Sequence, residues 1–453
     1  MSVPSARSSA SAPPHIPRAL SAGLLLVVLV VAFESMAVGT VLPRVADDLR
    51  GLALYGWASS AFLLSSLFGA VVFGTFSDRR GPALGAALCL AVFALGLLVA
   101  GLAPSMFVFV LGRLVQGFGA GGLAALPFAV ISTRFPEASR APMLAALSGA
   151  WLLPALVGPL IASLIADAWS WRVVFWGLTP VLAVVAPLCV LPLRGGERRA
   201  PASADPPLLW PALGLTLAAG ALVEGLRRPD ALAVPLAVLG MGGILLASRP
   251  LFPAGMWRLA PGLPAGLMLR GWAAFGLLGM NTFLPLALHE LRGLSLTQAG
   301  WLLSVGGATW TLGSWAQAAL ERRLGPASRP ARIRLGMVGV CMGLLVTALA
   351  VLGHLPLWAA YAGWIVADFG MGVGYNSNSL LALSSVRPEA SGRLSGQLAN
   401  IEVLMTAVAA GTAGALLARV QPLDRAFTLA FLVTLLGSLV TWAAAGRLRG
   451  RGG

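Results

Sequence analysis

The chain is 453 residues long, 58% hydrophobic and only 10% charged, with a mean hydropathy of +0.86. Soluble globular chains carry about 25% charged residues, so this one has no surface to offer water and its solvent must be lipid. Lysine is absent, and the net charge of +15 comes from arginines set in short connectors between apolar runs. That placement reads as membrane topology, and it excludes a nucleic-acid-binding face.

In chain order, residues 1–18, rich in Ser, Pro and Ala with Arg7 and Arg18, are expected to form a disordered cytoplasmic tail. The first apolar run is too long for a signal peptide, and no small-residue site closes it. Apolar runs then recur at 20–42, 54–76, 83–104, 106–132, 143–166, 172–193, 208–225, 231–248, 263–288, 296–318, 333–353, 356–384, 394–418 and 426–446. A span needs ~20 apolar residues to cross a ~30 Å hydrocarbon core. The sequence therefore predicts about fourteen transmembrane helices, or twelve if 208–225 and 231–248 do not both cross.

With the N-terminus inside, most arginines fall on cytoplasmic segments, among them Arg79-Arg80, Arg198-Arg199, the stretch from Arg322 to Arg334, and Arg447, Arg449 and Arg451. The positive-inside bias then places both termini in the cytoplasm of a cell membrane. Cys89, Cys189 and Cys341 sit inside apolar runs, which predicts buried small side chains rather than disulfides or a metal site.

The chain repeats itself. TVLPRVADDLRGL (40–52) is echoed by TFLPLALHELRGL (282–294), GFGAGG (117–122) by DFGMGV (368–373), and FPEASR (135–140) by RPEASG (387–392). Three matches in the same order predict two homologous six-helix halves, 19–195 and 262–447. Between them lies a linker, 196–261, holding two extra transmembrane helices, and 448–453 form a second cytoplasmic tail. Parallel repeats with a site at their interface are a transporter architecture.

Over nearly its whole length the chain resembles the major facilitator superfamily. In GTFSDRRG (74–81), Gly74, Asp78, Arg79 and Gly81 match the signature of the loop between helices 2 and 3, although Pro82 and Ala83 replace its usual basic pair. The resemblance implies a charge network that holds one conformation closed and breaks in the other; a solvated loop with topogenic arginines is the plainer reading. In LGRLVQGFGAG (111–121), Arg113, Gln116, Gly117, Gly119 and Gly121 match the fourth-helix motif. An arginine about seven residues into a span costs several kcal/mol unless paired or hydrated, whereas the glycines need only serve packing. Gly158-Pro159, with Gly149 and Pro154, resembles the fifth-helix motif of antiporters, with Ala162 and Ser163 in place of its second glycine pair.

Helix 1 carries the most specific likeness. Glu34 stands nine residues before Pro43, where the fourteen-helix drug:proton antiporters carry an Asp. Burial disfavours the charged form of an isolated carboxylate, so Glu34 is a candidate to exchange a proton. Counted at ~1.5 Å per residue, Glu34 and Arg113 both lie roughly 10–13 Å below the outer interface. The family fold has helices 1 and 4 lining the cavity, so Arg113 is the expected charge partner. Asp368 in the twelfth run and Glu402 in the thirteenth lie near the midplane and are further candidates for proton coupling; Glu402 has the alternative of bonding locally to Asn400 or Thr406.

The expected cavity lining is apolar and aromatic, Trp57, Phe118, Trp151, Trp272, Phe275, Trp310 and Phe369, with Gln116, Asn281, Tyr375, Asn376 and Asn378 adding polar contacts. Trp169 and Trp171 read as interfacial belt residues. These residues suit hydrophobic or cationic small molecules exchanged for protons, by a monomer that needs the proton gradient and no cofactor. The alternative is a major facilitator porter for a specific metabolite, as exporter or proton symporter. A pump is excluded by the lack of a nucleotide-binding loop. An enzyme is not expected, since His15, His289 and His354 are scattered over a tail and two connectors.

Overall fold

The computed structural model describes residues 18–194, 208–387 and 390–448. The tail expected at 1–18 lies outside these residues except for Arg18. So do Arg198-Arg199, His15, Pro388 and Glu389 of the third repeat, and the final tail beyond Leu448.

Every expected apolar run coincides with helix, and among the described residues there is no strand. The first set comprises α1 (Arg18–Asp48), α2 (Tyr55–Arg80), α3 (Pro82–Gly101), α4 (Met106–Arg134), α5 (Glu137–Gly149), α6 (Leu152–Ala168), α7 (Trp171–Trp176) and α8 (Leu178–Val190). After it come α9 (Leu209–Arg227) and α10 (Ala233–Ala247). The second set is α11 (Leu263–Arg292), α12 (Leu296–Leu324), α13 (Arg329–Val351), α14 (Trp358–Ser384), α15 (Ser391–Arg419) and α16 (Leu423–Gly446).

Two runs are broken, and proline explains both. Pro154 and Pro180 cannot donate to the carbonyls of Ala150 and Trp176, and their rings crowd those carbonyls. The fifth run therefore divides into α5 and α6, and the sixth into α7 and α8. Among the described residues, ten helical segments are long and apolar enough to cross a membrane. α6 and α10 are apolar but shorter; at ~1.5 Å per residue a helix the length of α10 reaches only about 22 Å. α12 and α14 are long but more polar.

The two sets are wired alike. α2 packs on α4, and α12 on α14; α3 packs on α4, and α13 on α14. The repeated glycines show why. A Cβ on Gly119 would stand 2.5 Å from the Phe93 nitrogen of α3, and one on Gly370 3.0 Å from the Val340 nitrogen of α13. Likewise a Cβ on Gly121 would stand 2.6 Å from the Ala70 nitrogen of α2, and one on Gly372 2.8 Å from the Ser314 nitrogen of α12. In each set the same two glycines let the fourth helix press between the second and third.

The sets join along α2–α15, α6–α12 and α1–α11. The contacts crowd at the end of the bundle away from the termini, here the far end. There Tyr55 donates to the Thr282 carbonyl at 3.1 Å and Ser60 to the Ala407 carbonyl at 2.8 Å. Asp167 accepts from Thr297 at 2.7 Å and pairs with Arg44 at 3.4 Å. Gly56 and Gly414 meet so closely that a Cβ on Gly56 would lie 2.7 Å from the Gly414 Cα. α9 straddles this seam. Trp57 of α2 donates to Glu224 at 3.0 Å, and Arg419 of α15 to the Leu226 carbonyl at 3.0 Å.

Candidate functional site

Two charge clusters sit inside the bundle, one in each set, the first buried and the second half-buried. In the first, α1 brings Glu34 and α4 brings Arg113 into a direct ion pair. Both are sealed, at 1% and 3% exposed. Arg113 also donates to the Ala58 carbonyl at 3.2 Å and to Gln116 Oε1 at 2.7 Å, and its guanidinium lies 4.1 Å over the Phe62 ring. Two polar atoms are left over: Glu34 Oε2 and Gln116 Nε2 are buried and have no partner among the described residues.

The second cluster centres on Arg270 of α11, a residue that no motif marks. It pairs with Glu402 of α15 at 2.9 Å, donates to Ser379 at 2.7 Å and to the Tyr375 hydroxyl, and lies 3.7 Å over the Tyr375 ring. Tyr375 in turn donates to Glu402 at 2.8 Å and packs edge-on against Trp310 at 5.5 Å between ring centres. The sequence signal for Arg270 is the one that marks Arg113, an arginine well inside an apolar run. The local alternative for Glu402 is not taken, because Thr406 bonds its main-chain carbonyl while the carboxylate reaches across helices.

Asp368 belongs to neither cluster. It is 5% exposed, and its Oδ2 has no partner among the described residues. A Cβ on Gly306 would lie 2.6 Å from that oxygen, with the Trp364 indole crowding the same spot. Asp368 therefore lies in the seam between α12 and α14.

The other expected site residues are scattered. Asn376 donates to Ser314 at 2.8 Å and to the Gly372 carbonyl at 3.0 Å, and Asn281 Oδ1 is buried without a partner among the described residues. Trp151 and Phe369 are exposed, while Phe118 packs with Phe68 and Phe73 between α2 and α4. Asn378 donates to the Gly266 carbonyl at 3.0 Å. Trp57 faces α9, and Trp272 with Phe275 packs on Gly437 of α16. Trp169 is exposed as a belt residue would be, but Trp171 is buried, donating to Asp48 at 2.9 Å and packing on Phe109 and Phe175. Its neighbours in sequence could not reveal this, because the contacts come from α1 and α4.

In the last turn of α2, Asp78 and Arg79 are exposed and form no ion pair among the described residues. Gly74 faces open space, and Gly81 adopts φ +96°, which favours glycine. Gly158 packs against Met36 of α1, and the Pro159 carbonyl sits where a Cβ on Gly300 of α12 would be 3.0 Å away. The matching end of α12 and the residues after it read Glu321-Arg322-Arg323-Leu324-Gly325-Pro326, a further echo of Asp78 to Pro82. There Glu321 holds Arg329 at 2.6 Å and also pairs with Arg332.

A helical bundle of membrane-crossing length, with two like-wired sets and a charge cluster inside each, defines a polytopic membrane transporter. The chain belongs to the Major Facilitator Superfamily, whose model matches residues 24–410. A probable multidrug-efflux transporter of Mycobacterium tuberculosis strain H37Rv is 29% identical over 395 residues, covering 83% of this chain and 82% of that protein. The multidrug transporter protein MdtP of Bacillus subtilis strain 168 is 25% identical over 297 residues, covering 63% of this chain and 54% of that protein. The fold matches an inward-facing, unoccupied bacterial homologue of the human lysosomal transporter Spinster (TM-score 0.67, 14% identity, 94% and 95% of the two chains). It also matches an auto-inhibited peptide transporter of the POT family (TM-score 0.67, 16% identity, 96% and 98%).

Proposed function

We propose that this transporter exchanges protons for hydrophobic or cationic small molecules and expels them from the cell. The observation that carries this reading is the sealed Glu34–Arg113 pair, whose carboxylate keeps one oxygen unbonded. The pair links α1 to α4, so parting it requires these two helices to shift against each other. Asp368 and Glu402 are the further candidates for proton coupling, and the proton gradient is the only cofactor required. The efflux transporters among the relatives support the cargo class.

In this reading the fourteen runs are fourteen spans, two six-helix halves plus α9 and α10, and the protein works as a monomer in the cell membrane. The arginine-rich termini end faces the cytoplasm. The contacts between the sets at the far end then close the outer side. Gly74, Asp78, Arg79 and Gly81, with the Gly158-Pro159 bend, serve the change between states. The second reading, a porter for a specific metabolite, is favoured by the Arg270–Tyr375–Glu402 cluster, which offers a polar ligand both charge and hydrogen bonds.

Proteoliposomes with an imposed pH gradient separate the two. Drug-like cations should move with dissipation of the gradient, and Glu34→Gln should abolish that coupling. Full proton-driven transport by Glu34→Gln would sink the proposal. Transport of one polar metabolite lost only in Arg270→Gln would favour the second reading.

A further inference from the structure

Between the end of α10 and the start of α11 the chain folds into a compact turn at the termini end. Trp257 donates to Ser248 at 2.9 Å, Gln397 of α15 to the Leu251 carbonyl at 2.8 Å, and Arg447 to the Arg258 and Leu259 carbonyls at 3.0 and 3.2 Å. Leu259 takes a left-handed conformation, φ +52°, to make the turn. The turn borders a half-open cavity of about 620 Å³ lined by Leu245, Arg249, Phe252, Trp257 and Arg258 among others, with no acidic residue in the lining. Arg249 and Arg258 are exposed, and neither guanidinium has a hydrogen-bonding or ionic partner among the described residues.

From this cavity an apolar track leads into the membrane. Val234, Val238, Met241 and Leu245 recur at helical spacing on α10 and are all exposed. Two unpaired cations beside an indole, at the foot of an apolar stripe, match an amphipathic anion: a charged head at the interface and acyl chains along the helix. A free phosphate would have no use for the stripe. We propose that this cavity holds the headgroup of an anionic phospholipid, with Arg249 and Arg258 taking its phosphate and the stripe of α10 seating its chains. Such a lipid would tie the inserted helices to α15 and α16 through the turn, whatever the cargo of the transporter.

Native mass spectrometry of the full-length protein in detergent tests this with added phosphatidylglycerol, phosphatidylcholine of the same chains, and glycerol 3-phosphate. Phosphatidylglycerol should bind preferentially. Arg249→Gln/Arg258→Gln should weaken it about 30-fold, roughly five-fold for each cation at an anionic surface. Arg322→Gln, an exposed arginine of α12, should leave binding unchanged. If the double variant fails to fold by circular dichroism, each single variant should show its five-fold loss. Equal binding of the two lipids, retention of phosphatidylglycerol by the arginine variants, or equal displacement by glycerol 3-phosphate would overturn the assignment.

Discussion

At the end of α2, Asp78 stands exposed, with no ion pair among the described residues; at the matching end of α12, Glu321 is pinned between Arg329 and Arg332. The contrast repeats in the interior. Arg270 spends its donors on Glu402, Ser379 and Tyr375, whereas the Glu34–Arg113 pair leaves Glu34 Oε2 and Gln116 Nε2 unbonded. The contrast is one between these charges and not between the sets as wholes, because buried polar atoms without a partner among the described residues also occur in the second set, at Asn281, Ser304, Gln317, Asp368, Ser377 and Asn378. Groups without a fixed partner in one conformation are those free to take one in another, which makes Glu34, Asp78 and Asp368 the acids at which coupling and gating are best sought.

The largest effect should come from splitting the interior pairs. Arg113→Leu strands Glu34 where no water reaches it, a loss of about 3–5 kcal/mol. Adding Glu34→Gln to that variant should recover most of the loss. Arg270→Leu should cost less, about 1–3 kcal/mol, because Glu402 keeps the Tyr375 hydroxyl and is itself only partly buried. Thermal unfolding in detergent ranks the variants, and equal losses at Arg113 and Arg270 would erase the difference between the two pairs.

A smaller and symmetrical effect is expected at the glycines. Gly121→Val and Gly372→Val each force a side chain into a helix backbone, at a cost of about 1–3 kcal/mol. The two sets share this packing, so the losses should be similar. A large loss at one position alone would mean that the glycine repeat does not do the same work twice.

Much of this was legible in the sequence because it depends on spacing along the chain. Apolar run length marked the helices, and the order of repeated segments marked the two sets. Depth counting placed Glu34 and Arg113 at one level, where they meet. What stayed hidden depends on rotation about helix axes and on partners distant in the chain. Trp57 turns toward α9, Trp171 is buried by α1 and α4, and Asp368 faces Gly306 across a helix seam. Arg270 was visible as a buried charge, but no motif drew attention to it. The breaks at Pro154 and Pro180 were visible as prolines, yet an apolar run reads as continuous whether or not its backbone bonds are.

The smallest effect on stability, and the sharpest on mechanism, is expected at the turns. Asp78→Asn removes a charge with no partner in this conformation, so unfolding should shift by no more than about 0.5 kcal/mol. Glu321→Gln removes the acid that holds two arginines and should lower the unfolding temperature measurably. Transport should rank them the other way if Asp78 finds its partner only when the termini end closes. Asp78→Asn would then slow turnover in vesicles without harming the fold, while Glu321→Gln would lose stability and keep the turnover of whatever remains folded. An Asp78→Asn protein with unchanged turnover would return this acid to the plainer reading of a solvated loop, and the asymmetry between the turns would be one of packing alone.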